Sequence, residues 1–471
     1  MRFLIYALMI DFFFGLNGRQ IMIGDEPIRS ILYYAAIALV CVKGFYHLFL
    51  RLREHMKQGN SFFKAFWKEV RVFTMVDILC GILIFSHVIW IFIIPYTQLD
   101  ESPYAMFYAY ERAHPILYTL IYFPAVYLIR IGKVQWEKYR KFAIFGCVAI
   151  GIIHLVLFVG ENIQRTIDPS VYLLKKIQLI WHDFIGGHSD PSEVFMPIYS
   201  VRVIQNFNLF IPMSFYFIVG KKGKRYWFWS MLNILALFTI SARSHIVAVV
   251  AGICVFCFLE WTISHYTKEQ WKALWKKVAV VAVFAVLADV SIFGGRNITR
   301  MASSFLVSES VLESGEAERL TYDSREYSTE YEIRGARNSN STRILEIRHA
   351  IDKFLEKPIL GHGYFLQSID MQALMYVART GLVGLSLWVI CMTYLFRNVY
   401  LLEKKKKAGV LPVCFFFTMV LVDSVFQYFF SPVAIVGIVF VMLDLAYRTT
   451  QAEGLVEQKA ESLVEYEAEN A

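Results

Sequence analysis

The feature that most constrains this chain is a recurring run of about 20 apolar residues, the length a helix needs to cross a hydrocarbon core. Such runs lie near 2–16, 29–50, 72–95, 114–130, 142–160, 202–220, 226–241, 244–265, 277–294, 373–397, 409–427 and 430–448. The expected fold is an all-α polytopic membrane protein with about twelve transmembrane helices. Composition agrees, with 57% hydrophobic and 18% charged residues, against about 45–50% and 25% in soluble chains. That balance excludes a disordered chain, a secreted disulfide scaffold and most soluble enzymes. The first run is short and holds Asp11. No small-residue cleavage site follows it, so it reads as a retained anchor rather than a signal peptide.

Loop charge sets the orientation. Basic residues crowd the 51–71 loop (Arg51, Arg53, Lys57, Lys64, Lys68, Arg71), the 130–141 loop, Lys221 to Arg225, Lys268 to Lys277, and Arg397 with Lys404 to Lys407. Every second loop is basic, which places those loops and both termini in the cytoplasm by the positive-inside rule. The net charge of +8 is thereby explained by topology, and no nucleic-acid partner is expected. Four segments follow. Residues 1–294 hold nine spans and an outer loop at 161–201, and residues 295–372 form a large, helical extracytoplasmic loop between spans nine and ten. Residues 373–448 hold spans ten to twelve, and 449–471 are a cytoplasmic tail.

The seven cysteines all lie in apolar runs, which argues against disulfides, and the CxxC of Cys254 and Cys257 reads as neighbours on one helix face. In the first long outer loop, Trp181-His182-Asp183 and His188-Ser-Asp190 gather potential ligands without a standard metal spacing, and turn-forming or sugar-binding roles suit them equally. Trp181, Phe195 and Tyr199 suit stacking on sugars or an interfacial belt. Asp77, Asp289, Asp423 and Asp444 fall in or near spans. A carboxylate there costs roughly 2.5–3.5 kcal/mol on insertion scales, so each must face the interior or a wet cavity. Helix–helix hydrogen bonding is the simpler role for them. No metal site and no cofactor are expected.

The large outer loop carries ten basic residues, eight of them arginine, and twelve acids. Any anion site in it must be local, built on the fixed guanidinium fork rather than on net charge. Its most informative stretch runs from Ser341 to Tyr364. Ser341 or Thr342 is the expected N-cap of a helix whose face is Ile344, Ile347, Ile351 and Phe354, with Pro358 just past its end. Gly361 and Gly363 permit positive φ or a close backbone approach. The chain then re-enters the membrane through Asp370 and the run ending Gly381-Leu-Val-Gly384. An interfacial helix and turn would account for the same residues.

The run from Arg343 through Pro-Ile-Leu-Gly-His-Gly-Tyr to Gly-Leu-Val-Gly resembles the signature of bacterial O-antigen polymerases and O-antigen ligases. Ser241-Ala-Arg243-Ser-His245, between two spans, is similar to that family's Ser-Arg element. The resemblance implies glycosyl transfer at the outer face of the bacterial inner membrane, from an oligosaccharide on undecaprenyl diphosphate to a sugar hydroxyl. In a polymerase that hydroxyl belongs to another lipid-linked repeat unit, and in a ligase to the lipid A core. Breaking the anomeric bond leaves charge on the diphosphate, which fixed cations must meet. The residues matching the family's arginines are Arg243 and Arg343, and the resemblance assigns them diphosphate binding. The acceptor needs a base or an orienting acceptor. Ligases carry a His at a fixed distance before the Gly-x-x-Gly, and counting back from Gly381 and Gly384 reaches Asp370 instead. That departure favours the polymerase branch, with Asp370 as the candidate base or else a helix cap. His362, His245, Arg348 and His349 are secondary candidates, His349 being placed on the polar face of its helix.

The expected reaction needs no metal, and a chain-length regulator is an expected partner besides the lipid-linked substrate and the membrane. The rivals are a flippase or proton-coupled transporter, which would suit the span number and intramembrane acids, and a different lipid-linked glycosyltransferase using Asp25 and Glu26.

Overall fold

The computed structural model describes residues 26–100, 103–167, 243–264, 267–293, 329–366, 372–406, 409–425 and 435–452, with short pieces elsewhere. The expected spans at 2–16, 202–220 and 226–241 lie almost wholly outside those residues, as do Trp181 to Asp190, Phe195 and Tyr199. The described chain is helical apart from turns and one two-residue antiparallel pairing, β1 (Met22–Ile23) with β2 (Glu26–Pro27). The helices are α1 (Ile28–Lys57), α2 (Phe62–Val70), α3 (Met75–Tyr96), α4 (Ala105–Ala113), α5 (Tyr122–Arg130) and α6 (Trp136–Ile167). They continue as α7 (Arg243–Ser264), α8 (Lys268–Phe293), α9 (Thr329–Glu356), α10 (Gln372–Lys406), α11 (Pro412–Ser424) and α12 (Ile435–Ala452).

Among the described residues, five helices are long and apolar enough to cross a membrane: Tyr34–Lys57, Met75–Tyr96, Ile246–Ile263, Ala373–Lys405 and Ile435–Ala452. The helices α6, α8 and α11 cover most of the expected spans 142–160, 277–294 and 409–427. The expected span at 114–130 is divided, a 3₁₀ stretch His114–Ile121 leading into α5. One apolar core joins α3, α5, α6, α10, α11 and α12, with Val126, Ala143, Val399, Val413, Phe416 and Val441 fully buried in it.

Buried ion pairs tie the helix ends together. Asp77 caps α3 through a reciprocal Thr74 box. It also meets Arg130 at 2.6 Å and accepts from the Tyr122 hydroxyl at 2.6 Å. Asp444, fully buried on α12, accepts from the Trp136 indole at 2.9 Å and from Arg448 at 2.8 Å. Helix–helix hydrogen bonding is therefore what these two aspartates do, as a buried carboxylate requires. All seven cysteines are free thiols, with Cys254 and Cys257 on α7.

Two expectations for α9 are corrected. Neither Ser341 nor Thr342 caps it, because α9 begins at Thr329 and runs through both residues, and Ser341 is fully buried within it. The buried face is also rotated. Ile351 is 46% exposed, whereas Ala350 packs with Met375 and Ala378 of α10, beside Phe354. A small side chain at 350 lets the two helices approach closely, so tertiary packing overrides both local cap chemistry and side-chain size.

Candidate functional site

The two halves of the glycine signature form one unit. In an unbroken helix, Leu382 N–H would bond to Ala378 O and Val383 N–H to Arg379 O. Gly381 breaks that ladder with φ 63° and ψ −164°. The segment 358–363 then fills the break. Leu382 N–H donates to Pro358 O at 2.8 Å and Val383 N–H to Ile359 O at 3.2 Å. In return His362 N–H donates to Ala378 O at 3.1 Å and Gly363 N–H to Arg379 O at 2.8 Å. Four peptide groups released by the kink are all satisfied by one loop, which is what buried backbone demands.

This clasp explains its glycines. Gly361 has φ +69°, and a Cβ there would lie 2.3 Å from Arg379 O. A Cβ on Gly381 would lie 2.3 Å from Ile359 O, and one on Gly384 would lie 2.2 Å from the Thr380 side chain. At Gly361 and Gly381 two backbones touch where side chains would stand, a use of glycine that conformational freedom alone does not require.

A second irregular helix holds the clasp from the other side. In α3 the residues Ile89–Ile93 form a π turn, so that Ile94 N–H reaches back to Ile89 O. Pro95, next in line, has no N–H to give. The Trp90 carbonyl is thus left without a helical donor, and it accepts Tyr364 N–H at 3.0 Å. The Trp90 indole donates to Leu360 O at 2.9 Å, and Gln98 Nε2 donates to His362 O at 3.1 Å. Such π turns recur at functional positions.

Arg379 lies at the centre of the unit, only 1% exposed. Its Nη2 donates to Leu366 O at 2.9 Å, and its guanidinium carbon sits 5.3 Å from the centre of the Tyr364 ring. A carbonyl and an aromatic face are suited to solvating a buried guanidinium. His362 is also enclosed. Its Nε2 lies 2.9 Å from Lys353 O, an acceptor only, so this nitrogen carries the proton and donates. Burial lowers its pKa, the Lys353 carbonyl works against that and Lys357 adds to it, with the net below the ordinary histidine value. The ring therefore pins the end of α9 to the clasp.

The other sequence candidates fall as follows. Arg343 is half-buried on α9, and Arg348 and His349 are exposed there. Arg243 and His245 stand in the first turn of α7, their side chains outside the described residues. Asp370 lies outside the described residues as well, between Leu366 and the start of α10. What sequence reasoning missed is Trp90, Gln98 and Arg379. Pro95 and the arginine inside an apolar run were the available signals.

Beside the clasp the helices leave a cavity of about 490 Å³. Aliphatic side chains of α3, α10, α11 and α12 form most of its wall, and His87, Thr119, Tyr122, Tyr376, Trp388 and Ser424 provide its few polar or aromatic edges. Size and lining fit a mostly apolar ligand. Among the described residues no group of three or more His, Cys, Asp and Glu is placed to hold a metal ion.

Fold and site together define a helical protein with membrane-length apolar helices, built around a glycine clasp that joins α9 to the kinked α10. Residues 228–389, about a third of the chain, match the model of a family described as O-antigen ligase. The matched segment contains Arg243, Arg343 and the whole clasp, in keeping with the O-antigen polymerase and ligase family that the motifs resemble. No curated protein and no solved structure matches the chain.

Proposed function

We propose that this protein is an O-antigen (surface polysaccharide) polymerase. It transfers a growing glycan from undecaprenyl diphosphate to a sugar hydroxyl of another lipid-linked repeat unit, at the outer face of the bacterial inner membrane. The observation that carries the reading is the family match over 228–389, which spans the arginine element and the clasp alike. The apolar cavity beside the clasp supports a substrate with a hydrocarbon tail. Asp370, where ligases carry His, favours the polymerase branch.

In this scheme Arg243 and Arg343 hold the diphosphate and meet the charge that develops as the anomeric C–O bond breaks. Asp370 receives the proton of the attacking hydroxyl. No metal takes part. The active loops lie outside and both termini inside the cell. A chain-length regulator would act on the protein from the membrane.

Arg243→Ala or Arg343→Ala then abolishes long-chain polysaccharide on a gel while the protein still reaches the membrane. Asp370→Asn does the same if Asp370 is the base. Normal chain lengths in both arginine variants would overturn the diphosphate assignment, and near-normal polymer in Asp370→Asn would reduce Asp370 to a structural residue. The description of the matched family favours one other reading, a ligase. A null strain separates the two: loss of a ligase leaves lipid-linked polymer unattached to lipid A core, and loss of a polymerase leaves single repeat units.

A further inference from the structure

The nine residues of α2 are too few to cross a bilayer, yet the helix joins two candidate spans, Tyr34–Lys57 and Met75–Tyr96, and so lies at the level where both end. Its side chains sort into three sectors at about 100° per residue. Ala65 and Glu69 are buried against the protein. The next sector shows four aromatics to the outside: Phe62 at 58%, Phe63 at 69%, Phe66 at 39% and Trp67 at 54% exposure. Lys64, Lys68 and Arg71 form the third.

The buried sector is latched. The Glu69 carboxylate takes Arg51 Nε at 2.9 Å, His55 Nε2 at 2.9 Å and the Tyr127 hydroxyl at 2.8 Å. Burial pushes its pKa up, and the bonds from Tyr127, Arg51 and His55 outweigh it, so the group stays below the usual carboxylate range. The helix is thus fixed in rotation, with its aromatic sector held outward. The charge around it is one-sided. Arg53, Lys57, Lys64, Lys68 and Arg71 are exposed, and among the described residues their side chains make no ion pair or hydrogen bond. Glu54 is the exposed acid in this loop.

We propose that α2 lies in the plane of the membrane, its four aromatics sunk into the boundary between headgroups and acyl chains, and that its free cations bind anionic phospholipid headgroups. Trp67 suits that boundary for its amphipathic ring, and a helix lying there buries Trp and Phe on one face and carries basic residues on its polar face. Membrane potential and substrate chemistry play no part in this assignment. It holds whatever reaction the outer loops perform.

The test uses the full chain in nanodiscs of phosphatidylcholine, with or without phosphatidylglycerol. The quenching of Trp67 by brominated lipid is the difference between wild type and Trp67→Phe. It is expected to be strong with bromine near the headgroup end of the chain and weak near the methyl end. The ratio of phosphatidylglycerol to phosphatidylcholine retained by the purified protein is expected to fall by up to about fivefold in each of Lys64→Gln, Lys68→Gln and Arg71→Gln, and furthest in the variant that combines all three. These positions are exposed, so unchanged unfolding of the variants checks that the fold is intact. Absence of Trp67 quenching, as when a soluble protein covers the aromatics, would overturn the proposal. An unchanged lipid ratio in the triple variant would overturn its anionic-lipid part.

Discussion

Replacing Gly361 with alanine puts the clasp under a load that can be worked out. The residue has φ +69°, where a side chain costs about 1–2 kcal/mol for strain alone. The new Cβ would also stand 2.3 Å from Arg379 O and 2.7 Å from Thr380 N, both backbone atoms that no rotamer change can move. The overlap is relieved only by parting the loop from α10, which breaks the four bonds between 358–363 and 378–383. Straightening α10 can restore two bonds within the helix, so the net loss is about two, at about 0.5–1.5 kcal/mol each. Strain and lost bonds together come to about 2–5 kcal/mol. Amide exchange at His362 and Gly363 should therefore speed up by roughly 30-fold to several thousand-fold, at about 1.4 kcal/mol per factor of ten. Gly59→Ala is the control, because Gly59 has φ +85° with nothing within 4 Å of its Cβ position. It should show strain alone, confined to its own turn, and normal polysaccharide. If Gly361→Ala leaves exchange at His362 and Gly363 unchanged and polymer intact, the clasp is not the closed unit described.

Asp77→Asn should destabilise the protein by about 3–5 kcal/mol, since it leaves Arg130, 8% exposed, without its counter-charge. Glu137→Gln, which removes the more exposed partner of Arg140, should cost under about 1 kcal/mol, and unfolding in detergent at matched temperature compares the two. His362 adds a pH dependence of known sign. Its folded pKa lies below the ordinary value of about 6.5, so the stability it contributes is complete above that pH and is lost as pH falls through the folded value. His362→Gln should flatten the fall in unfolding midpoint between about pH 7 and pH 5, and an unaltered slope would show that the titration lies elsewhere.

Much of the clasp was legible only in fragments. Gly361 and Gly363 could be read as positions for positive φ, and both have it. The Gly-x-x-Gly of α10 could be matched to a family pattern, but its physical purpose could not. Gly381 breaks a helix ladder and Gly384 makes room for Thr380, and both facts depend on atoms that the pattern does not contain. The Ser341 cap failed for a related reason. Cap preference is worth about 1 kcal/mol, and the packing of α9 on α10 through Ala350, Met375 and Ala378 outweighs it.

The sequence by itself determined the class of molecule, because partition into a bilayer depends on the apolar content of contiguous runs, and that is a local property. It also singled out the segment that the family match covers, since glycine and arginine spacing survive as a pattern in one dimension. Only the tertiary structure decided that residues 358–363 splice into a broken helix at 378–383, and that a π turn at Ile89–Ile93 frees a carbonyl to hold them. Those contacts are made by backbone groups, which every residue but proline carries alike. No side-chain pattern announces them, so they exist only once the chain has folded.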